Sequence, residues 1–363
     1  MTEPIRGTIL AVCTAPAKGV QKRDRGEAVL VPGKGIKGDG HFGFAHRQVS
    51  LLDAAEIERM KRIIPGLFPG AFAENIVTDG IDLAALTLGD RLRMGKALLR
   101  VTQLGKECHS HCAIYEAAGD CIMPRLGIFC EVLAGGAVRR GDVVELLPEP
   151  DDGESAATLS SDDHVPLPGE RHVIVLLDGE NIAEGVCTHG MERYWAVGRL
   201  VALGLLRRRD DMGSLEIRDD DSGRTIAVTK KKAGEPAALQ EILAHRGANL
   251  PVPLEAVAGQ LNSLEGAVLL DASGGEIVRT MDADGTVAME KAIGWAVLRN
   301  VPLEKTALLV TAPLTAATVR TALRAGAPLL AGATRPTLQA TLAAGGNMHL
   351  AGRGREDEIV LYV

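Results

Sequence analysis

The sequence predicts two domains in one chain, a mostly β domain followed by an α/β domain. The chain has 363 residues, and a compact domain usually contains about 100–200 residues. Short apolar runs broken by glycines fill the first half, whereas strand and helix patterns alternate in the second half. Residues 148–168 contain many acids and prolines but no lysine or arginine. We therefore predict domains at 1–147 and 169–363, joined by an exposed linker at 148–168.

The first half has the spacing of short strands separated by turns. Apolar runs occur every few residues, and Gly-Asp pairs at 89–90 and 141–142 indicate turns just before strands. One helix is predicted at 53–64, with Asp53 as its N-cap and with Ala54, Ile57 and Met60 at helical spacing. The predicted strands are 8–12, 28–31, 49–52, 91–94, 98–102 and 143–147.

The second half predicts a parallel sheet. A helix is expected at 191–206, with Trp195, Val197 and Leu200 as buried candidates. After it, strand and helix patterns alternate in the order that implies parallel strands joined by right-handed crossovers. The predicted strands are 307–310, 328–331, 348–351 and 359–363, and the predicted helices are 316–324 and 336–344.

Composition limits the class of partner. The net charge of -7 and the 3% aromatic content argue against nucleic-acid or anionic-membrane binding. No run of about 18 apolar residues predicts a transmembrane helix, and the first residues lack a signal-peptide pattern. We therefore expect a cytoplasmic protein whose six cysteines are thiols rather than disulfides.

A cysteine-histidine cluster gives the strongest chemical signal. Residues 105–112 read Gly-Lys-Glu-Cys-His-Ser-His-Cys and follow the predicted strand at 98–102. Lys106, His109 and His111 would favour the thiolate of Cys108, the form that attacks, carries a persulfide or binds a soft metal. Two alternatives stay open. Cys108, Cys112 and Cys121 with a histidine could bind zinc, or the cysteines could be ordinary buried thiols, which is the better interpretation of Cys13, Cys130 and Cys187.

Motifs in the first half follow a recognisable order. They include GIKGDGHFG at 35–43, RQVSL at 47–51, GAFAENI at 70–76, GDRL at 89–92 and the stretch from 101 to Cys108. These motifs resemble the MOSC domain, the C-terminal domain type of molybdenum cofactor sulfurases, over about residues 5–147. The resemblance implies a twisted β-barrel and a link to the molybdenum cofactor. It also implies that Cys108 carries sulfur or ligates molybdenum through the cofactor.

A set of polar residues in these motifs is expected to bind the cofactor. Lys37, His41 and Arg47 lie near glycines that let a backbone approach an anion such as a pterin phosphate. As alternatives, Lys37 and Arg47 could be solvated surface charges, and Asn75 could satisfy a turn. The predicted cofactor-binding residues are Lys37, Asp39, His41, Arg47, Asn75, Lys106, His109 and Cys112.

The second half resembles another molybdenum-related family. WAVG at 195–198, ALLVT at 307–311, RAGAPLL at 324–330, RPTL at 335–338 and LAGR at 350–353 are similar to FdhD, the sulfurtransferase-like accessory protein of formate dehydrogenases. The resemblance implies a cytidine-deaminase-like α/β fold. In one family segment only Asp282, Ala288, Lys291, Ile293 and Gly294 keep the pattern, with Glu290 conservatively placed. However, the family's CxxC pair is expected on a loop between residues 219 and 253, and this stretch contains no cysteine. We therefore expect this half to bind or dock without transferring sulfur.

Together these features predict a sulfur-handling accessory protein for the molybdenum or tungsten cofactor. It would bind the cofactor, or carry its terminal sulfur on Cys108, for a molybdoenzyme such as formate dehydrogenase. No pyridoxal-phosphate desulfurase module is present in the chain, so a separate cysteine desulfurase would donate the sulfur. The alternatives are a non-catalytic cofactor carrier and a MOSC-type reductase component, which would need an outside electron donor.

Overall fold

The computed structural model describes residues 5–44, 46–105, 113–119, 121–148, 169–220, 223–231, 249–356 and 358–363. The described residues form two compact units, one made mainly of residues 1–150 and the other mainly of residues 151–363. Apart from Pro148, the predicted linker at 148–168 lies outside the described residues. The exact domain boundaries therefore stay a prediction.

The first unit is built mainly from short strands. Its helices are α1 (Ala54–Lys61), α2 (Ala113–Ala118) and α3 (Met123–Leu126). Its strands are β1 (Arg6–Thr14), β2 (Arg23–Asp24), β3 (Glu27–Val31), β4 (Gly35–Ile36), β5 (Val49–Asp53), β6 (Ile76–Asp79), β7 (Arg91–Met94), β8 (Ala97–Leu104), β9 (Ile128–Ala134), β10 (Gly136–Arg139) and β11 (Val143–Leu146).

Seven of these strands close into a barrel. Their order is β8-β7-β11-β1-β6-β5-β9, and β9 pairs with β8 to complete the ring. Neighbouring strands are antiparallel except for β5 and β6, which are parallel. Full closure leaves no exposed sheet edge in the ring. The predicted mostly β barrel is confirmed.

Helix α1 confirms the predicted N-cap. The Asp53 side chain accepts a hydrogen bond from the backbone N–H of Ala55 at 2.7 Å, which satisfies one of the free donors at a helix start. Ile57 and Met60 face the core, where they pack in a cluster that includes Leu52, Val77 and Phe129. The helix ends at Lys61 rather than at the predicted residue 64.

The second unit combines two sheets with helices. Its helices are α4 (Glu192–Ala202), α5 (Leu254–Leu261), α6 (Gly285–Leu298), α7 (Ala316–Ala325) and α8 (Leu338–Ala344). Its strands are β12 (Glu170–Leu177), β13 (Glu180–Thr188), β14 (Met212–Asp220), β15 (Gly223–Lys230), β16 (Ala267–Leu270), β17 (Glu276–Thr280), β18 (Ala307–Val310), β19 (Leu329–Gly332), β20 (His349–Arg353) and β21 (Ile359–Leu361).

The predicted parallel arrangement is confirmed in the larger sheet of this unit. Its order is β17-β16-β18-β19-β20-β21, and β18, β19 and β20 are parallel neighbours. Helices α7 and α8 connect these strands, while β21 returns antiparallel to β20. The other sheet of the unit runs β13-β12-β15-β14. Within the described residues, no helix has the length and apolarity needed to span a bilayer.

Helices α4 and α6 cross at two glycines. A Cβ atom added at Gly198 of α4 would overlap the carbonyl oxygen of Glu290, and one added at Gly294 of α6 would overlap the carbonyl oxygen of Tyr194. The two backbones are therefore in direct contact, which only residues without a side chain permit. This contact explains physically why glycine occupies both positions.

Candidate functional site

A buried acid, Asp39, organises the polar interior of the first unit. Its side chain is 1% exposed. Oδ1 accepts hydrogen bonds from Lys22 Nζ at 3.0 Å and from the backbone N–H of His41 at 3.0 Å. Oδ2 accepts from the backbone N–H of Ala15 at 3.2 Å and from Asn75 Nδ2 at 3.2 Å. Both carboxylate oxygens are therefore fully used by protein donors.

Electrostatics keep this acid ionised. Burial by itself raises the pKa of Asp39, but the adjacent His41 side chain and the Lys22 charge outweigh burial and hold the pKa well below its usual range. Burial lowers the pKa of Lys22, and Asp39 partly restores it. The result is a buried ion pair that fixes the start of the segment carrying His41.

Asn75 joins this network to the neighbouring strand β5. Its Oδ1 accepts from both the backbone N–H and the Oγ of Ser50, each at 3.1 Å. Its Nδ2 donates to the carbonyl oxygen of Cys13 at 3.1 Å and to Asp39. Both polar atoms of the Asn75 side chain are therefore hydrogen-bonded within the protein, as expected if Asn75 has a structural role. Direct cofactor binding by Asp39 or Asn75 stays a prediction.

Glu74 supports the same region from a tight turn. The residue is fully buried, and its carboxylate accepts from the backbone N–H groups of Gly70 at 2.6 Å and Phe72 at 3.0 Å. Burial raises the pKa of Glu74 to about 7, although these N–H groups oppose the shift. The carbonyl oxygen of Gly70 in turn accepts from the backbone N–H of Lys22 at 2.9 Å. The Glu74 turn therefore also positions Lys22.

Basic side chains gather around Phe44. Lys18 Nζ lies 4.1 Å from the centre of its ring, Arg47 Cζ lies 5.2 Å away, and the His41 ring meets it edge-on at 5.9 Å. The Nε atom of Arg47 is buried and has no hydrogen-bond partner among the described residues. Lys37 is exposed. These side chains are available to an anion, unlike the saturated Asp39 network.

A chain of hydrogen bonds connects this basic region to the end of β8. His46 Nε2 lies 3.1 Å from Gln103 Oε1, and Gln103 Nε2 donates to the carbonyl oxygen of Gly105 at 2.9 Å. The backbone N–H of Gly105 donates to the carbonyl oxygen of Gly127 at 2.7 Å. Gly105 directly precedes residues 106–112, which lie outside the described residues.

The second unit contains a cleft of about 490 Å³, called here the β13 cleft. Near it, Lys291 Nζ lies 2.9 Å from Asp282 Oδ2, and Asp282 also accepts from Thr188 Oγ1 at 2.9 Å. These contacts bind the segment before α6 to the end of β13. The residues that line the cleft are Glu170, Glu184, Gly185, Val186, Thr188, Trp195, Arg199, Asp282, Ala283, Asp284, Thr286, Val287 and Glu290.

Family models match one segment in each half of the chain. Residues 37–145 match the family model of the MOSC domain, and residues 255–363 match that of the FdhD/NarQ family. The chain joins a MOSC domain to an FdhD/NarQ domain. The resemblances read from the sequence motifs are therefore confirmed. A search of curated proteins gave no match.

Three solved structures are similar to parts of the chain. A candidate formate dehydrogenase accessory protein from Desulfotalea psychrophila is 19% identical over 55% of this chain and 88% of its own, with a TM-score of 0.44. The YUAD protein from Bacillus subtilis is 22% identical, over 40% and 98%, with a TM-score of 0.36. YiiM from Escherichia coli is 25% identical, over 40% and 71%, with a TM-score of 0.31. TM-scores below 0.5 are too low for these likenesses to support an inference about function.

Both families are associated with the molybdenum cofactor. Their occurrence in one chain supports an accessory role in sulfur handling for that cofactor.

The MOSC domain residues predicted to do chemistry divide into two groups. In the first group, Asp39, His41 and Asn75 are linked by hydrogen bonds. Arg47 and His41 both contact the ring of Phe44. Lys37 is exposed. The second group lies outside the described residues and keeps its predicted roles untested: Lys106, Cys108, His109, His111 and Cys112.

The cysteines that the structure describes are all buried. Burial raises the pKa of Cys13 to about 12 and also raises the pKa values of Cys130 and Cys187. These features fit the expected role as ordinary thiols. Among the described residues, no group of three or more His, Cys, Asp or Glu side chains could hold a metal ion. A zinc site formed by Cys121 with Cys108 and Cys112 stays an untested alternative.

Sequence reasoning missed Lys22 and Gln103 of the MOSC domain. Lys22 stands in the run Gln-Lys-Arg-Asp-Arg at 21–25, which is typical of an exposed turn, yet its side chain is 2% exposed. Gln103 lies in β8, a mostly apolar strand. A polar side chain in a strand expected to be buried could have indicated a functional or structural role for it.

Proposed function

We propose that this protein accepts sulfur as a persulfide on Cys108 and supplies it for the molybdenum or tungsten cofactor of a client enzyme. The observation that carries the proposal is the hydrogen-bond chain from His46 through Gln103 to Gly105. These hydrogen bonds link the segment around Phe44, which carries the basic side chains, to Gly105, three residues before Cys108 in the sequence. The segment with the basic side chains is thus hydrogen-bonded to the end of β8, from which the chain continues toward Cys108.

The basic side chains fit the anionic part of the cofactor. The unpartnered Arg47 Nε, with Lys18 beside it on Phe44, offers donors for a pterin phosphate, and Arg groups suit such bidentate contacts. Lys37 and His41 would add positive charge at the same segment. When bound, the cofactor supplies the metal that requires a terminal sulfur ligand.

Loading of Cys108 with sulfur needs no oxidant, and later release of that sulfur as a sulfido ligand needs a thiol reductant. The Cys108 thiolate attacks the terminal sulfur of a persulfide on a cysteine desulfurase. A new S–S bond forms at Cys108 while the S–S bond of the donor breaks, and the donor cysteine leaves as a thiolate. Lys106, His109 and His111 would keep Cys108 in the thiolate form.

The FdhD/NarQ domain would serve as a docking module. Cys187 is the single cysteine between residues 169 and 363; it is fully buried, and burial raises its pKa. A thiol in that state is a poor nucleophile and has no partner cysteine for exchange. Sulfur transfer therefore rests on the MOSC domain.

The test is transfer of sulfur from a cysteine desulfurase to the full-length protein. Incubation with the desulfurase and cysteine, followed by alkylation and peptide mass analysis, should show one added sulfur atom on the peptide that contains Cys108. Cys108→Ser should abolish the product, whereas the matched control Cys121→Ser should retain it. Metal and pterin analysis of the purified wild-type protein and of Arg47→Ala tests cofactor binding separately.

Two results would contradict the proposal. One is a wild-type protein that gains no sulfur on Cys108 although the desulfurase itself carries a persulfide. The other is an equal gain of sulfur in Cys108→Ser. Bound pterin without sulfur transfer would instead identify a carrier that does not turn over.

A further inference from the structure

Strand β13 is an edge strand of its sheet. It pairs with β12 along Glu180–Thr188 and with no strand on its other side among the described residues. Edge strands expose unpaired backbone N–H and C=O groups that can pair with an added strand. Val186, two residues before the end of this strand, is 50% exposed.

The outer backbone groups of β13 face the β13 cleft. The N–H of His189 points toward the β12 side, where it donates to the carbonyl oxygen of Gly169 at 3.0 Å, while the N–H of Thr188 points away and donates to Asp282 at 3.0 Å. Because N–H directions alternate along a strand, Val186 and Glu184 direct their backbone groups to the same side as Thr188. All three residues line the cleft.

The cleft is acidic. Two of its carboxylates are neutralised, since Arg199 Nη1 lies 3.0 Å from Glu290 and Lys291 pairs with Asp282. The other three acids, Glu170, Glu184 and Asp284, are exposed and pair with no Lys or Arg among the described residues. Glu184 accepts from Asn181 and lies 3.7 Å from the His172 ring. Three carboxylates without a lysine or arginine partner favour a basic ligand and disfavour a phosphate.

Trp195 adds a donor and an apolar wall. The edge of its indole packs against Gly185, where an added Cβ would lie 2.8 Å from the ring. The residue is 3% exposed. Burial raises the pKa of Glu290, and the neighbouring Arg199 and the indole N–H of Trp195 oppose that shift. The indole N–H lies beside this carboxylate without reaching hydrogen-bond geometry. A buried N–H without a well-formed partner is costly, and a peptide carbonyl oxygen in the cleft would satisfy it.

We propose that the β13 cleft binds an extended, basic segment of a partner protein, which adds to β13 as a further strand. Backbone pairing with Glu184 and Val186 gives affinity, and lysine or arginine side chains at alternate positions meet Glu170, Glu184 and Asp284. Trp195 donates to a carbonyl oxygen of the segment. The inference is independent of Cys108, so its outcome does not depend on sulfur transfer.

The test measures binding of a fluorescein-labelled peptide of alternating lysine and valine to the full-length protein. The lysine peptide should bind, and binding should weaken about tenfold in Glu170→Gln/Glu184→Gln. A second peptide with glutamate in place of lysine should not bind. A third, N-methylated at alternate residues, keeps the charge but cannot pair as a strand and should lose most of its affinity.

A matched control removes the same charge elsewhere. Glu255→Gln/Glu265→Gln changes two exposed acids outside the cleft and should leave the affinity unchanged. Equal weakening in both double variants would show attraction to net negative charge only and would overturn the proposal. The proposal also fails if the lysine peptide does not bind, or if the N-methylated peptide binds as well as the unmodified one.

Discussion

Lys22 Nζ lies 3.0 Å from Asp39 Oδ1, and the two side chains are 2% and 1% exposed. Asp39 also accepts hydrogen bonds from the backbone N–H groups of Ala15 and His41. This pair therefore sets the path of the chain that leads to the basic side chains at Phe44. Its loss would affect both folding and the position of the basic side chains at Phe44.

Replacing Lys22 by methionine should destabilise the protein. The change leaves the Asp39 charge buried without its cation, and breaking a buried ion pair in this way costs about 3 kcal/mol. Urea denaturation of the full-length protein measures the difference. Lys34→Met, at an exposed position, is the control and should change the free energy of unfolding by less than about 0.5 kcal/mol. Equal stability of the two variants would contradict the assigned role of Lys22.

Glu74 should make the protein less stable as the pH rises toward neutrality. Burial raises its folded-state pKa from 4.5 to about 7, so the folded protein binds this proton more tightly than the unfolded chain does. The contribution of Glu74 to stability therefore falls between about pH 4.5 and pH 7 and is constant above that window.

Glu74→Gln should remove this dependence. Between pH 5 and pH 8 the free energy of unfolding of the variant should rise relative to wild type by up to about 3 kcal/mol. Glu58→Gln, an exposed acid of α1, is the control and should follow the wild-type curve. If the difference in the free energy of unfolding between wild type and Glu74→Gln does not change with pH, Glu74 has the same pKa in the folded and unfolded states.

Gly198→Ala should destabilise the second unit. The added methyl group would overlap the carbonyl oxygen of Glu290, and overpacking of this kind costs about 3 kcal/mol. Gly259 of α5 offers a matched control, because no atom lies within 4 Å of its added Cβ. Gly259→Ala should stabilise the protein by about 1 kcal/mol through helix propensity. Thermal unfolding that is unchanged in Gly198→Ala would argue against the close crossing of α4 and α6.

Brief alkylation at pH 7 should label Cys108 before the buried cysteines. Cys13, Cys130 and Cys187 are fully buried, and their raised pKa values keep them as unreactive thiols. Peptide mass analysis after short exposure to iodoacetamide measures the order of labelling. Under denaturing conditions all six cysteines should react alike. Protection of Cys108 in the folded protein would instead favour the zinc alternative.

Structural elements that are determined by residues close together in the sequence could be predicted from the sequence. The α1 N-cap at Asp53 and the alternation of β18, α7, β19, α8 and β20 follow from capping and periodicity. Element ends were less accurate. The helix predicted at 191–206 ends at Ala202, because Gly204 takes a positive φ of 75° just after it.

The sequence alone was enough for the fold class, for both family resemblances and for the absence of a cysteine pair in the second half, because periodicity, motif order and residue identity are local properties. Tertiary structure alone revealed that Lys22 is buried against Asp39, that β9 closes the barrel onto β8, and that β13 and the start of α6 enclose an acidic cleft. These relationships join residues far apart in the chain. Burial and strand pairing depend on the packing of the whole domain, so no local pattern encodes them.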